Sequence, residues 1–258
     1  DHGGVIFIDL RDRQGLVQVV FDPDSGDHFQ MADRVRNEYV LRVRGRVRAR
    51  SESTVNPGMG TGEVEIYGLE LEILNTSDTP PFQLDEHARV GEETRLRYRY
   101  LDLRRPEMLS NLRLRSEITL AIRNFLGADG FMEVETPILQ RIHGGANARP
   151  FQTHINAYDL DLYLRIAPEL FLKRCVVGGI DRVFEINRNF RNEGVDRSHN
   201  PEFTAMEAYE AFGDCWTMLE MTESLVHEAA VEMAKGRDEA GPGPTLPFGE
   251  MQIYYAKP

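Results

Sequence analysis

RVFEINRNFRNEGVDRSHNPEFTAMEAY, Arg182 to Tyr209, is the stretch whose reading decides the fold. It opens with Val183, Phe184, Ile186 and Phe190 set among polar residues, an alternation that suits a strand with at least one buried face. A polar turn region runs from Asn192 to Asn200, where Gly194 is available for a positive φ angle. Pro201 closes the loop, and Glu202 to Tyr209 returns as a second strand. The hairpin predicted in this way carries Arg191, Glu193, Arg197, His199 and Phe203 on or beside one loop.

These residue types suit ATP held for attack at its α-phosphate. A guanidinium is planar and stays charged, so Arg191 is able to hold a phosphate oxygen and a substrate carboxylate together. Negative charge grows on the phosphorus as it gains a fifth oxygen, and a preorganised cation stabilises that charge where water is excluded. Phe203 offers a stacking face for adenine, and Glu193 an acceptor for its exocyclic amine. The same residue types equally suit an exposed hairpin laced with ion pairs.

The order of residues goes further. FRNEG followed by HNPEF resembles motif 2 of the class II aminoacyl-tRNA synthetases. GFMEVETPIL (Gly130–Leu139) resembles their motif 1, whose helix and proline-bearing strand build a dimer interface. RYRYLDLRRPEM (Arg97–Met108) resembles the hinge leading into the catalytic domain. Within subclass b, residues 1–139 resemble a bacterial aspartyl-tRNA synthetase, as in DHGGVIFIDLRDRQGLVQVVFDPD. Residues 142–212 resemble a lysyl-tRNA synthetase, in IHGGANARPF and THINAYDLDLYLRIAPELFLKR.

The resemblance implies attack of an amino-acid carboxylate on ATP, with Mg²⁺, followed by transfer to a tRNA. It implies Arg191 as the catalytic residue, with Glu193, His199, Asn200 and Phe203 around ATP. The lysyl text places Gly145, Glu169, Arg191, Glu207 and Tyr209 around the amino acid, with Tyr209 near an ε-ammonium. So many carboxylates favour a cationic amino acid over aspartate. The alternatives are an aspartyl-tRNA synthetase and a non-catalytic tRNA-binding fragment or paralogue. The resemblance also implies a homodimer through motif 1, and anticodon contacts at Phe7, Gln18, Asn56 and Glu65. It is to a protein truncated at both ends, because Asp1 is not a methionine and no third motif follows. That leaves the activity of this chain alone open.

Read without the family, the first 75 residues are short strands at Val5–Leu10, Leu16–Phe21, Tyr39–Arg50 and Glu63–Leu74, with a helix at Phe29–Asn37. That pattern predicts an N-terminal OB-type β-barrel, with Phe7 either on its binding face or in its core. The acidic, proline-bearing stretch 76–96 predicts a linker. Residues 97–236 predict an α+β domain on an antiparallel sheet, which the resemblance identifies as part of a class II catalytic domain. Its elements are a helix from Met108 to Leu126, strands at Phe131–Val134 and Leu162–Ile166, a helix at Pro168–Val177, the hairpin, and a helix capped by Asp214. Residues 237–258, rich in Gly and Pro, predict an irregular tail.

The net charge is −12, from 30 Lys and Arg against 42 Asp and Glu, which is the wrong sign for a nucleic-acid binder. Its distribution restores the idea. Arg42, Arg44, Arg46, Arg48 and Arg50 alternate along LRVRGRVRAR, so a strand puts them on one face. Like charges in line repel unless a polyanion faces them. Residues 95–123 add a second basic zone. No apolar run approaches the roughly 18 residues of a membrane span, which excludes a spanning protein. Cys175 and Cys215 form no CxxC pair and no histidine spacing suggests a metal, so reduced core thiols and a cytoplasmic location are expected. No P-loop is present.

Overall fold

A computed structural model describes residues 4–84, 89–234, 245–248 and 251–254. The chain divides into two compact units, Asp1–Pro106 and Glu107–Pro258. In the first, β1 (Ile6–Arg11), β2 (Leu16–Phe21), α1 (Asp27–Arg34), β3 (Val40–Ala49) and β4 (Val64–Asn75) follow the predicted elements closely. The strands form one sheet in the order β1-β2-β4-β3. Alternation explains the packing: Ile6, Ile8, Leu10, Val19 and Phe21 point to one side, where Phe29 and Ala32 of α1 cover them. The helix ends earlier than expected, because Val35 is extended and Glu38 takes a positive φ of 65°.

The arginine row on β3 corrects a sequence expectation. Its counter-charge lies within the sheet, on β4, so the row does not need an external polyanion. Arg42 pairs with Glu72, Arg44 with Glu70 at 3.0 Å, and Arg48 with Glu65 at 2.7 Å. The signal was non-local. Glu70 and Glu72 are even-numbered while Glu65 is odd, so a regular β4 would send them to opposite faces. A bulge solves this. Arg44 pairs with Glu70 but Gly45 with Gly68, so Leu69 is the extra residue that re-phases the strand. Gly68 is required beside it, since a Cβ there would lie 2.4 Å from the Phe21 ring.

Beyond β4, α2 (Glu92–Arg97) begins inside the predicted linker and is followed by α3 (Arg99–Asp102). The fully buried Asp102 gathers much of the basic hinge: Arg95 at 3.0 Å, Arg99 at 2.8 Å and Arg105 at 3.5 Å. A carboxylate taken wholly out of water needs such partners.

The second unit starts with α4 (Pro106–Ala128), then β5 (Met132–Glu133), β6 (Leu139–Gln140), β7 (Gln152–Ile155) and β8 (Leu160–Leu164). α5 (Glu169–Val177), β9 (Arg182–Phe190), β10 (Glu202–Glu210) and α6 (Cys215–Ala234) follow. The sheets are β10-β9-β5 and β6-β8-β7. The first is mixed rather than wholly antiparallel, because β5 runs parallel to β9. Asp214 caps α6 as expected, accepting from Trp216 and Thr217 backbone N–H at 3.0 and 2.9 Å. The predicted tail contains a hairpin of β11 (Thr245–Phe248) and β12 (Met251–Tyr254), so it is not irregular throughout. Two short β-compatible runs flank Gly249-Glu250 in the sequence there. Neither cysteine is a core thiol: Cys215, first residue of α6, is exposed and Cys175 half-buried.

The even-numbered residues Phe184, Ile186, Met206 and Ala208 of the β9–β10 hairpin pack on Leu126, Phe131 and Leu225. The odd-numbered residues therefore face the opposite side, free of helices α4 and α6. Gly68→Ala is expected to destabilise the first unit by about 2 kcal/mol through overpacking against Phe21. Urea unfolding of the whole chain checks this, and adding Phe21→Leu should recover part of the loss.

Candidate active site

The site face of the hairpin follows from register. In β9–β10, Glu185 stands opposite Glu207, Asn187 opposite Ala205 and Asn189 opposite Phe203. Arg191 continues the ladder, its N–H donating to Pro201 O at 2.8 Å. Its side chain turns over Phe203, with Cζ 5.0 Å from the ring centroid, and Nε lies 3.5 Å from Ile166 O. A guanidinium over an aromatic face is held by the ring's quadrupole, which fixes its direction before any ligand arrives.

The glycine pair of HGGANARPF forms the second wall. Gly145 has φ +87°, and a Cβ on it would come within 2.8 Å of Glu169 Cβ. The turn is tight because it lies on Glu169. The far end of this loop is tied to the hairpin by Asn192 N–H to Arg149 O at 2.8 Å. Arg149 N–H donates to Glu193 Oε1 at 3.2 Å. One Glu193 oxygen thus serves the backbone, a task the residue types did not reveal.

Glu169 and Glu207 come together as expected. Glu169 accepts from Lys173 Nζ at 2.6 Å, one turn along α5, and the Tyr209 hydroxyl donates to Glu207 Oε2 at 3.1 Å. Burial raises the Glu207 pKa, the neighbouring Glu169 charge adds to this, and Tyr209, Arg165 and Arg191 pull it back. Burial, with the adjacent Glu207, drives the Tyr209 phenol far above its ordinary value. This corner of the site is therefore negative and part-desolvated, an environment that stabilises a cation.

The loop beyond Arg191 is organised by Asp196. Its carboxylate accepts from Ser198 N–H at 2.7 Å, His199 N–H at 2.9 Å and His199 Nδ1 at 2.9 Å. His199 and Asn200 are exposed, and the His199 ring is committed to Asp196 within the loop. Both lie on the loop between Arg191 and β10, where the His199 Nδ1 edge is taken by Asp196.

Sequence reasoning missed the group beneath. Arg165 and Glu185 are 0% and 1% exposed and meet at 2.7 Å. Glu185 also accepts from Thr136 N–H (3.1 Å), Thr136 Oγ1 (2.6 Å) and Asn187 Nδ2 (2.9 Å). Arg165 Nε donates to Arg188 O at 2.8 Å. Burial alone would raise the Glu185 pKa, but the bonds from Thr136 and Arg165 hold it below the ordinary carboxylate range. The available signal was a charged residue inside each of two apolar runs, LYLRIAP and RVFEI.

On the first unit, Phe7 and Gln18 share the face opposite α1, since Phe7 pairs with Val20 and Gln18 with Asp9. Phe7 is exposed, which decides against a core role. Gln18 donates to Asp9 at 3.1 Å and accepts from Arg50 Nη2 at 3.2 Å. Arg50 also lies 3.8 Å from Glu65, so Gln18, Arg50 and Glu65 form one polar line. Asn56 is set apart in the following loop, where its Oδ1 accepts from Gly58 N–H at 3.0 Å.

A family model described as tRNA synthetases class II (D, K and N) matches residues 91–257. The chain belongs to this family of class II tRNA synthetases. A second model, an OB-fold nucleic acid binding domain, matches residues 1–74, the β1-β2-β4-β3 unit. The D, K and N synthetase match takes in the hairpin, the glycine loop and the β11–β12 pair. A member of this family is an aminoacyl-tRNA ligase with a tRNA-binding OB domain. No helix among the described residues is long and apolar enough to cross a membrane.

Hydrogen bonds from Ser198 and His199 bring the Asp196 pKa down to about 2. A depressed carboxylate contributes order that is complete above its unfolded pKa, about 3.9, and lost as pH falls through the folded one. Amide protection at Ser198 and His199 should therefore hold from pH 7 to 4 and vanish toward pH 2. Asp196→Ala, which removes the acceptor, should lose it at pH 7, as read by hydrogen exchange.

Proposed function

We propose that this chain is a lysine-type synthetase, activating lysine on ATP and passing it to a tRNA. The observation that carries this is the meeting of Glu169 and Glu207 beside Arg191, with Tyr209 bonded to Glu207. The α-ammonium is common to both amino acids, so selection falls on the side chain: a carboxylate placed roughly 4 Å from Glu207 costs about 4 kcal/mol at an effective dielectric of 20, whereas an ε-ammonium there gains a similar amount. That difference exceeds the factor needed to select one amino acid over the other.

In this reading the α-ammonium sits between Glu169 and Glu207 against Gly145, and the ε-ammonium lies toward Tyr209. The lysine carboxylate oxygen attacks the α-phosphorus, a new O–P bond forms, and the bond to the bridging oxygen breaks to release pyrophosphate. Arg191 holds carboxylate and phosphate in line and meets the charge developing between them. Its seat over Phe203 leaves the other side of that ring for adenine, with Glu193, His199 and Asn200 along the loop as the rest of the ATP contact. Mg²⁺ is expected to enter with the ATP phosphates, where it neutralises their charge.

Phe7, Gln18, Asn56 and Glu65 are assigned to the anticodon, where Phe7 stacks on a base and the Gln18–Arg50–Glu65 line reads a polar edge. The proposal includes a homodimer through Phe131–Leu139 and a cytoplasmic location. Aspartate specificity is the second reading, supported by the aspartyl-like text of residues 1–139.

ATP–pyrophosphate exchange by the purified chain is expected with lysine and not with aspartate. Arg191→Ala should lower it at least ~10³-fold, about 4 kcal/mol, with an unchanged circular dichroism spectrum. Exchange with aspartate would overturn the lysine assignment. A folded chain that binds tRNA but exchanges with neither would favour the non-catalytic reading. Phe7→Ala should weaken tRNA binding by 1–3 kcal/mol, roughly 5- to 150-fold, in a filter-binding titration without touching exchange.

A further inference from the structure

We propose that Arg165 is a positioning residue of the amino-acid pocket, a buried cation shared between Glu185, which fixes it, and Glu207, which it keeps charged. The inference rests on the assignment of Glu207 to the ammonium of the substrate. It begins with register. Glu185 and Glu207 are direct partners across β9 and β10, so their side chains leave the same face of the sheet. Cβ atoms in such pairs are about 4.5–5.5 Å apart. Two carboxylates on neighbouring positions of one face disfavour each other's ionisation unless a cation is shared with them.

Glu185 is the fixed anion. It is buried, it accepts three hydrogen bonds from Thr136 and Asn187, and it takes Arg165 Nη1 at 2.7 Å. Its negative charge would drive Glu207 toward the neutral acid. The groups facing Glu207 from the surrounding elements are Glu169 of α5, Glu185 of β9, Tyr209 of β10, and the arginines Arg165 and Arg191. Of these the Tyr209 hydroxyl and the two arginines oppose the loss of charge, and only the arginines do so as cations. Arg191 is half-buried over Phe203 and is assigned to phosphate and carboxylate, so its charge is committed once substrates bind. Arg165 is wholly buried, and its Nη2 has no hydrogen-bond partner among the described residues. Nη1 is saturated by Thr136 and Glu185, and Nε by Arg188 O. A guanidinium pinned at two nitrogens, with the third unspent and its charge felt by Glu207 as well as Glu185, is placed to serve both acids. Lysine in its place would offer one flexible ammonium, which Glu185 and Thr136 would capture.

The test is a carbon-13 NMR titration of the Glu207 carboxyl in the full 258-residue chain, with Glu207→Gln identifying the resonance. Arg165→Lys is expected to raise its midpoint by at least about one pH unit, tenfold in proton affinity. It should also weaken lysine binding roughly tenfold at pH 7, by calorimetry, while ATP affinity is unchanged. An unchanged midpoint, or equal losses for lysine and ATP, overturns the inference and leaves Arg165 a packing residue. Should Arg165→Lys fail to fold, Glu185→Gln is the second variant. Its Glu207 midpoint is compared with that of Arg165→Gln/Glu185→Gln, which lacks the guanidinium as well: a midpoint at least about one pH unit higher in the double variant supports the inference, and equal midpoints overturn it. The lysine assignment fails on a different result, binding of aspartate and not lysine by the wild-type chain, whatever Glu207 does.

Discussion

The buried Arg165–Glu185 pair, 2.7 Å long and closed to water, is the interaction on which the second unit is arranged. Its value is not net stability, since two charges lose several kcal/mol each of hydration and the contact does little more than return it. It acts through geometry. Arg165 follows β8, Glu185 lies in β9 and Thr136 lies between β5 and β6, so one polar knot draws the two sheets to a common point. Phe190 N–H to Arg165 O at 2.9 Å and Arg165 N–H to Ile138 O at 2.9 Å add backbone ties at the same place. A one-residue slip of β9 would expose Glu185 to the apolar side and leave Arg165 buried without an anion. The register of the hairpin, and every side chain it aims at the site, is thereby specified.

That register gives the hairpin two distinct faces. Even positions meet helices α4 and α6 through Phe184, Ile186, Met206 and Ala208, and odd positions present Glu185, Asn187, Phe203, Glu207 and Tyr209. The apolar face supplies rigidity, so the polar face holds charged groups without rearranging when charge develops between them. The loop that closes the pair is tied to its own Asp196, which shapes it without using the odd face.

Most element types were readable from alternation and turn residues, because those signals are local. The strands of the first unit, the long helix and the hairpin all fall where the pattern of Val, Ile, Phe and Gly puts them. Proximity of Gly145, Glu169, Arg191, Glu207 and Tyr209 followed from family text rather than from spacing. What stayed hidden was pairing. No local rule says that Leu69 is a bulge, that Glu65, Glu70 and Glu72 neutralise the arginines of β3, or that Arg165 meets Glu185 across 20 residues. His199 shows the converse, a residue of suggestive type whose ring is taken by a neighbour three positions away.

The re-phased strand β4 has a consequence for how copies of this molecule meet. Among the described residues, β3 lies at the end of its sheet, with backbone groups open to another strand. Glutamates on β4 pair with Arg42, Arg44 and Arg48, yet those arginine side chains stay half or more exposed. A second β3 approaching edge to edge would set arginine against arginine along its whole length. Leu69, by keeping the acids on the arginine face, lets the strand carry that repulsion without burdening its own fold.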